Sequence, residues 1–189
     1  MDNLGVNLGV GIEETVLFNK GVNRMNLVLI GMPGSGKSTL GVLLAKALGK
    51  AFLDTDILIQ QKAGKGLYEI IEKEGLKEFL FLEEKYILEL KVKNTVIATG
   101  GSVVYGSEAM EYLKRSALII YLKLDYKEIE RRLKDITTRG IAMDKGTSLR
   151  DLYDQRIPLY EKYADLIVDC NNKSIEKLIE ELVIRTKDK

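Results

Sequence analysis

The sequence predicts an α/β fold, a three-layer sandwich in which one parallel β-sheet carries helices on both faces. Short apolar runs alternate along the chain with amphipathic helical stretches. The runs are apolar at nearly every position rather than at every second one, as expected of strands covered on both sides. The chain has 189 residues, which suits one such domain and leaves no room for two ordinary ones. Strands separated by helices pair in parallel through right-handed crossovers.

Asn26–Gly31 (NLVLIG) reads as the first strand. Leu40, Leu44, Ala47 and Leu48 share one face of a helix over Lys37–Leu48. Ala51–Asp54 is the second strand, and Gly66–Val92 is helical with a break near Gly75. Thr95–Thr99 and Ala117–Leu122 are the third and fourth strands. Asp125–Lys134 is helical, and Leu149–Tyr163 is read as helical up to a break at Pro158. Leu166–Asp169 is the fifth strand. Ser174 caps a closing helix through Arg185, with Ile175, Leu178, Ile179 and Leu182 turned inward.

Residues 1–25 stand apart from this pattern. Leu4, Val6, Leu8, Val10 and Ile12 alternate with Gly or Asn. The segment reads either as a leader outside the fold or as an extra strand that docks on a sheet edge, its own or a partner's. The expected organisation is this extension followed by one domain over residues 26–189. The expected state is a monomer, or a weak dimer formed through the extension.

Composition excludes several chemistries. The chain has no His and one Cys, Cys170. That rules out a His general base, a Ser-His-Asp triad, an internal disulfide and a His- or multi-Cys metal site. Lys and Arg number 29 against 28 Asp and Glu, so nothing in the charge predicts a nucleic-acid partner. No apolar run approaches the ~18 residues that span a membrane, and the first residues lack a signal-peptide pattern. With a single cysteine, this predicts a cytoplasmic protein.

Gly31-Met32-Pro33-Gly34-Ser35-Gly36-Lys37-Ser38 fits the Walker A pattern G-x-x-x-x-G-K-[ST]. It follows a buried strand and opens a helix, the context in which the pattern binds phosphate. Glycines let the backbone curl so that successive N–H groups face phosphate oxygens, and the helix adds its positive end. Gly34, Ser35, Gly36, Lys37, Ser38 and Thr39 are the expected nucleotide-binding residues. Lys37 carries the charge for the β- and γ-phosphates, and Ser38 carries a hydroxyl for Mg²⁺. A guanine-reading N-K-x-D motif is absent, and the third strand does not end in the Asp of a motor ATPase.

Two carboxylates lie at the end of the second strand, in Phe52-Leu53-Asp54-Thr55-Asp56. An i, i+2 pair there can divide its work, one member holding a metal-bound water and the other facing an acceptor hydroxyl. Asp56 also reads as an N-cap for the apolar helix that begins at Ile57.

Taken together, the Walker A loop, Asp54-Thr55-Asp56, Thr99-Gly100-Gly101, Arg139 and Arg156-Ile157-Pro158-Leu159-Tyr160 resemble the shikimate kinases, small P-loop kinases of the nucleoside-monophosphate-kinase-like group. The likeness runs from Asn26 to the C-terminus. It implies a five-stranded parallel sheet of order 2-3-1-4-5 and a lid over about residues 137–147. It implies that Asp54 holds a magnesium water and that Asp56 binds the acceptor and is the candidate base. Gly100 and Gly101 would line the acceptor site, and Arg156 would grip the acceptor's carboxylate. Arg139 would close on the transferred phosphate, Arg132 would lie near adenine, and the loop around Asn171 would cup it. The implied cofactors are ATP and Mg²⁺, and the implied partner is a small hydroxylated acceptor.

The chain departs from that pattern in three places. The family's F-R-x-x-E element is Phe79-Leu80-Phe81-Leu82-Glu83, so Leu80 replaces an arginine that would give the acceptor a second grip. Ser102 replaces the third Gly of T-G-G-G, and the lid reads Arg139-Gly140-Ile141-Ala142. Leu80 and Glu83 are therefore expected at an altered acceptor site, or Leu80 simply packs in its helix. The expected activity is ATP-dependent phosphorylation of a hydroxyl on a carboxylated acceptor. Alternatives are a kinase for another hydroxy acid, sugar acid or hydroxylated amino acid, and a nucleotide-binding module without catalysis.

Overall fold

A computed structural model describes residues 25–134, 141–143 and 146–187. Five parallel strands form one sheet in the order β2-β3-β1-β4-β5. They are β1 (Asn26–Ile30), β2 (Ala51–Asp54), β3 (Thr95–Ala98), β4 (Ala117–Lys123) and β5 (Leu166–Asp169). β1 is central, pairing Leu27 with Val96 on one side and with Leu118 on the other. Every residue of β1 and β3 is buried, which explains why both are apolar after their first residues, Asn26 and Thr95. Helices α1 (Lys37–Leu48), α2 (Thr55–Ala63), α3 (Leu67–Glu74), α4 (Leu76–Leu88), α5 (Ser107–Lys114), α6 (Tyr126–Lys134), α7 (Leu149–Tyr163) and α8 (Ile175–Thr186) complete the described fold. None of these is long and apolar enough to cross a membrane.

The core has two parts. The main cluster lies between the sheet and its helices and includes Leu29, Ile30, Leu44, Ile97, Ile119, Ile120, Tyr160 and Leu182. A smaller cluster of Ile59, Ile70, Phe79 and Ala142 holds α2, α3 and α4 together beyond the edge of β2. Because β1 lies between strands reached by crossovers on opposite sides, the crevice at its carboxyl end is where this sheet type holds ligands.

Two expectations need correction. α7 runs through Pro158 without a break. Proline removes one backbone hydrogen bond and crowds the preceding turn. Leu152, Arg156, Tyr160 and Tyr163 nevertheless stay buried along one helix face, and their packing keeps the axis continuous. α5 and a 3₁₀ turn at Val103–Tyr105 fill a stretch that the sequence reading left unassigned. The signal for α5 was the pair Ala109 and Leu113, four residues apart and both buried. Residues 1–24, to which the expected extra strand belongs, lie outside the described residues, as does most of the expected lid.

Candidate active site

The loop between β1 and α1 is shaped by three positive-φ glycines, Gly31 (146°), Gly34 (79°) and Gly36 (95°). A Cβ on Gly31 would come within 2.8 Å of the Leu122 carbonyl oxygen. Gly36 is the N-cap of α1, and no side chain caps the helix there. The first-turn N–H groups are thus left for a ligand, and no acidic side chain opposes an anion in that turn. Lys37 is buried and donates from Nζ to the carbonyls of Gly31 (2.8 Å) and Met32 (2.9 Å). Ser35 Oγ is buried without a hydrogen-bond partner.

Asp54, Thr55 and Asp56 each do something different. Asp54 Oδ1 accepts from the backbone N–H of Asp56 (3.0 Å) and of Ile57 (3.4 Å), so the N-cap of α2 is Asp54 and not Asp56. Capping bonds of this kind place the carboxylate at Asp54, two residues earlier than the apolar pattern suggested. Thr55 Oγ1 is buried and accepts from the Gly100 N–H at 3.1 Å, tying β2 to the turn after β3. That role was missed, because a threonine between two aspartates carries no signal of its own. Asp56 is left to face the cavity.

A cavity of about 480 Å³ opens at the carboxyl end of the sheet. Its walls bring together Gly34, Gly36, Lys37, Ser38, Thr39, Asp54, Asp56, Gly100, Gly101 and Arg156, ten of the residues that the sequence selected. Ser102, Phe79, Ile57, Tyr68 and Ile141 also line it. Ser102 stands at the expected acceptor turn; the other four were not foreseen, since their exposure in a cleft cannot be read from periodicity.

Arg156 is fully buried. Its Nη2 donates to the Ala142 carbonyl at 2.5 Å and its Nε to the Tyr105 hydroxyl at 3.3 Å, with the Tyr105 ring 5.1 Å from the guanidinium. Nη1 has no partner, and no carboxylate pairs with this cation among the described residues. One turn further along α7, Tyr160 donates to the Gly101 carbonyl at 2.5 Å and stacks on Tyr121 of β4 at 5.1 Å. A Cβ on Gly101 would lie 3.0 Å from Arg156 Nη1, so the turn must be glycine for the guanidinium to sit so close.

Glu83 is buried against the same turn, beside Gly100. Burial pushes its carboxyl up to about 8, against the opposing pull of a Ser102 hydrogen bond and the charges of Arg156 and Lys37. Unfolded, Glu83 gives up its proton in the ordinary carboxylate range; folded, it keeps it to about pH 8. The folded chain therefore binds the extra proton between those values, and its stability falls as pH rises from about 5 to 8 before levelling off. Glu83→Gln should flatten this fall and be more stable than the parent at pH 8.5, by on the order of a few kcal/mol. Urea unfolding at pH 5, 6.5 and 8.5 measures it; parallel profiles for the two chains would refute the assignment.

Arg132 reaches the loop from α6, donating from Nη1 to the Gly34 carbonyl at 3.2 Å and from Nε to Glu128 at 2.7 Å. Asn171 Oδ1 accepts from the Asp125 N–H at 3.0 Å, joining the ends of β4 and β5 beside the loop. Leu80 is half-buried and packs on the smaller cluster. It is not among the cavity's liners, so its helix lines the cavity with Phe79 instead. Arg139 lies outside the described residues.

The residues present fit a nucleoside triphosphate and Mg²⁺. The uncapped helix start, the Lys37 amine and the unpartnered Ser35 hydroxyl converge on one loop. Among the described residues no three acidic or thiol groups converge to cage a metal by themselves. That suits Mg²⁺, which keeps waters and takes most of its ligands from substrate phosphates. Ser38 and Asp54, the two expected holders, both line the cavity.

A family model described as Shikimate kinase matches residues 33–187. A shikimate kinase of Thermodesulfovibrio yellowstonii is 38% identical over 161 residues, covering 84% of this chain and 92% of that protein. One from Caldanaerobacter subterraneus subsp. tengcongensis is 36% identical over 161 residues, covering 84% and 94%. The solved shikimate kinase from Acinetobacter baumannii in complex with shikimate superposes with a TM-score of 0.80 at 32% identity, covering 88% of this chain and 96% of that one.

Proposed function

The chain belongs to the shikimate kinase family, is an ATP-binding phosphotransferase with an alcohol group as acceptor, and, we propose, transfers the γ-phosphoryl group of ATP to a hydroxyl of shikimate. The observation that carries the choice of acceptor is Arg156: a fully buried guanidinium with an unpartnered Nη1 that lines the cavity shared with Asp56 and Lys37. A buried charge without a counter-ion is costly, and an acceptor carboxylate supplies one. Shikimate carries such a carboxylate and hydroxyls on one ring.

Phosphoryl transfer asks the protein for alignment and charge neutralisation more than for covalent chemistry. Lys37 exchanges its bonds to the Gly31 and Met32 carbonyls for phosphate oxygens. The loop amides and the start of α1 fix the phosphate chain. When bound, Mg²⁺ neutralises phosphate charge, with Ser38 and Asp54 as its protein-side holders. Asp56 accepts the proton of the acceptor hydroxyl and points that oxygen at the phosphate. Gly100 and Gly101 let the acceptor ring lie against backbone, Phe79 and Ile141 cover it, and Arg156 holds its carboxylate at the far end. Arg139 meets the charge that develops on the moving phosphoryl group.

Leu80 replaces the second arginine of the pattern and turns to the smaller cluster, so the acceptor's carboxylate rests on one guanidinium. Shikimate-dependent release of ADP, measured beside a panel of hydroxy acids and hydroxylated amino acids, is the direct test. We expect shikimate to give the highest kcat/KM. A different acid exceeding it by tenfold would reassign the acceptor and give Leu80 the role of selecting it.

A further inference from the structure

Glu83 and Arg156 both lie against one two-residue turn. A Cβ on Gly100 would collide with Glu83 Oε1 and come within 2.8 Å of Asp56 Oδ1, while a Cβ on Gly101 would meet Arg156 Nη1. Both side chains are fully buried, and Glu83 Oε1 and Arg156 Nη1 each lack a hydrogen-bond partner. We propose that Glu83 sets how firmly the cavity holds an anionic acceptor: protonated, it leaves the Arg156 guanidinium to the acceptor's carboxylate, and ionised, it competes with that carboxylate for the same positive charge.

The inference rests on the proposed acceptor, an anion gripped by Arg156. The groups that act on Glu83 come from every side: Asp56 from α2, Arg156 from α7, Lys37 from α1, and the Ser102 hydroxyl from the turn after β3. Only Arg156 and Lys37 carry positive charge, and Lys37 is committed to the phosphate loop. Ionising Glu83 would set two carboxylates over Gly100 with a single guanidinium between them and the acceptor. A third carboxylate, brought by the acceptor, would then enter a site with negative charge in excess. Burial, which holds the proton on Glu83 through neutrality, keeps the site out of that state. Leu80 brings no second cation to relieve it.

By reciprocity, an anionic acceptor on Arg156 must in turn tighten the proton on Glu83. Steady-state kinetics from pH 6 to 9 read the first half. KM for shikimate should rise about tenfold across the range with a much smaller change in kcat, and Glu83→Gln should make KM nearly flat. Carbon-13 NMR of the glutamate carboxyls reads the second half. The Glu83 resonance, assigned by its loss in Glu83→Gln, or in Glu83→Asp if the first does not fold, should titrate near pH 8 and move higher with shikimate bound. Titration in the ordinary carboxylate range overturns the inference whatever the acceptor is, as does a KM that climbs equally in Glu83→Gln. A chain that turns over no shikimate at any pH instead overturns the proposed acceptor.

Discussion

Asp56→Asn should lower kcat by about two to four orders of magnitude while leaving ATP affinity within a few-fold of the parent. Asparagine keeps the shape of the side chain and its reach toward Gly100, but it cannot take the proton of an acceptor hydroxyl. The nucleotide is held by the loop amides, Lys37 and the start of α1, none of which the substitution touches. Stability should hardly change, because the cap of α2 is Asp54 and the Asp56 N–H that it receives is backbone. The test pairs single-turnover ADP release with calorimetric ATP binding and a melting curve. A kcat within tenfold of the parent would remove Asp56 from the proton transfer and leave it a positioning role. A large fall in ATP affinity would instead place it on the nucleotide side of the cavity.

Arg156→Met should raise KM for shikimate by about 30-fold or far more, with the fall in kcat/KM carried mainly by KM. Removing one partner of a buried charge pair costs about 2–5 kcal/mol, and ~1.4 kcal/mol is a factor of ten. Methionine fills a similar volume without a charge. Among the described residues no carboxylate pairs with Arg156, so an apolar replacement should leave the fold as stable or more stable. The loss of two donated hydrogen bonds, to Ala142 and Tyr105, works against that gain. Binding and melting measured on one preparation separate these effects. An unchanged KM would mean that the acceptor's anionic group lies elsewhere.

The nucleotide half of the site could be read directly from the sequence, and the acceptor half only in part. A phosphate loop is a continuous run whose geometry is local: glycines at positive φ and a helix start follow one another in the chain. Strand order and the position of β1 followed once the repeat of apolar run and helix was matched to a family. The proposed acceptor half draws Asp56, Glu83, Gly100 and Arg156 from four separate parts of the chain, and their distances come from packing that periodicity does not encode. Asp56 reads also as a cap of α2 because the apolar pattern marks where a helix is amphipathic, not where its first N–H groups find an acceptor. It stopped α7 at Pro158 because a local rule could not weigh the buried face that runs past it. It singled out Glu83 as a survivor without its arginine, but burial and the Ser102 hydroxyl, which decide its proton, appear only in three dimensions.

The smaller cluster of Ile59, Ile70, Phe79 and Ala142 has an evolutionary consequence. It is separate from the main core, and α2, α3 and α4 fold around it beyond the sheet edge. Changes within it alter the wall that faces the acceptor while β1, the phosphate loop and α1 keep their own support. Drift in acceptor preference and retention of nucleotide chemistry are thereby partly uncoupled. Leu80 packs on this four-residue satellite instead of on the sheet. The phosphate loop has less freedom, because a Cβ at Gly31 would come within 2.8 Å of the Leu122 carbonyl oxygen. Substitutions in the satellite should therefore disturb the cavity wall at Phe79 and Ala142 more than the phosphate loop.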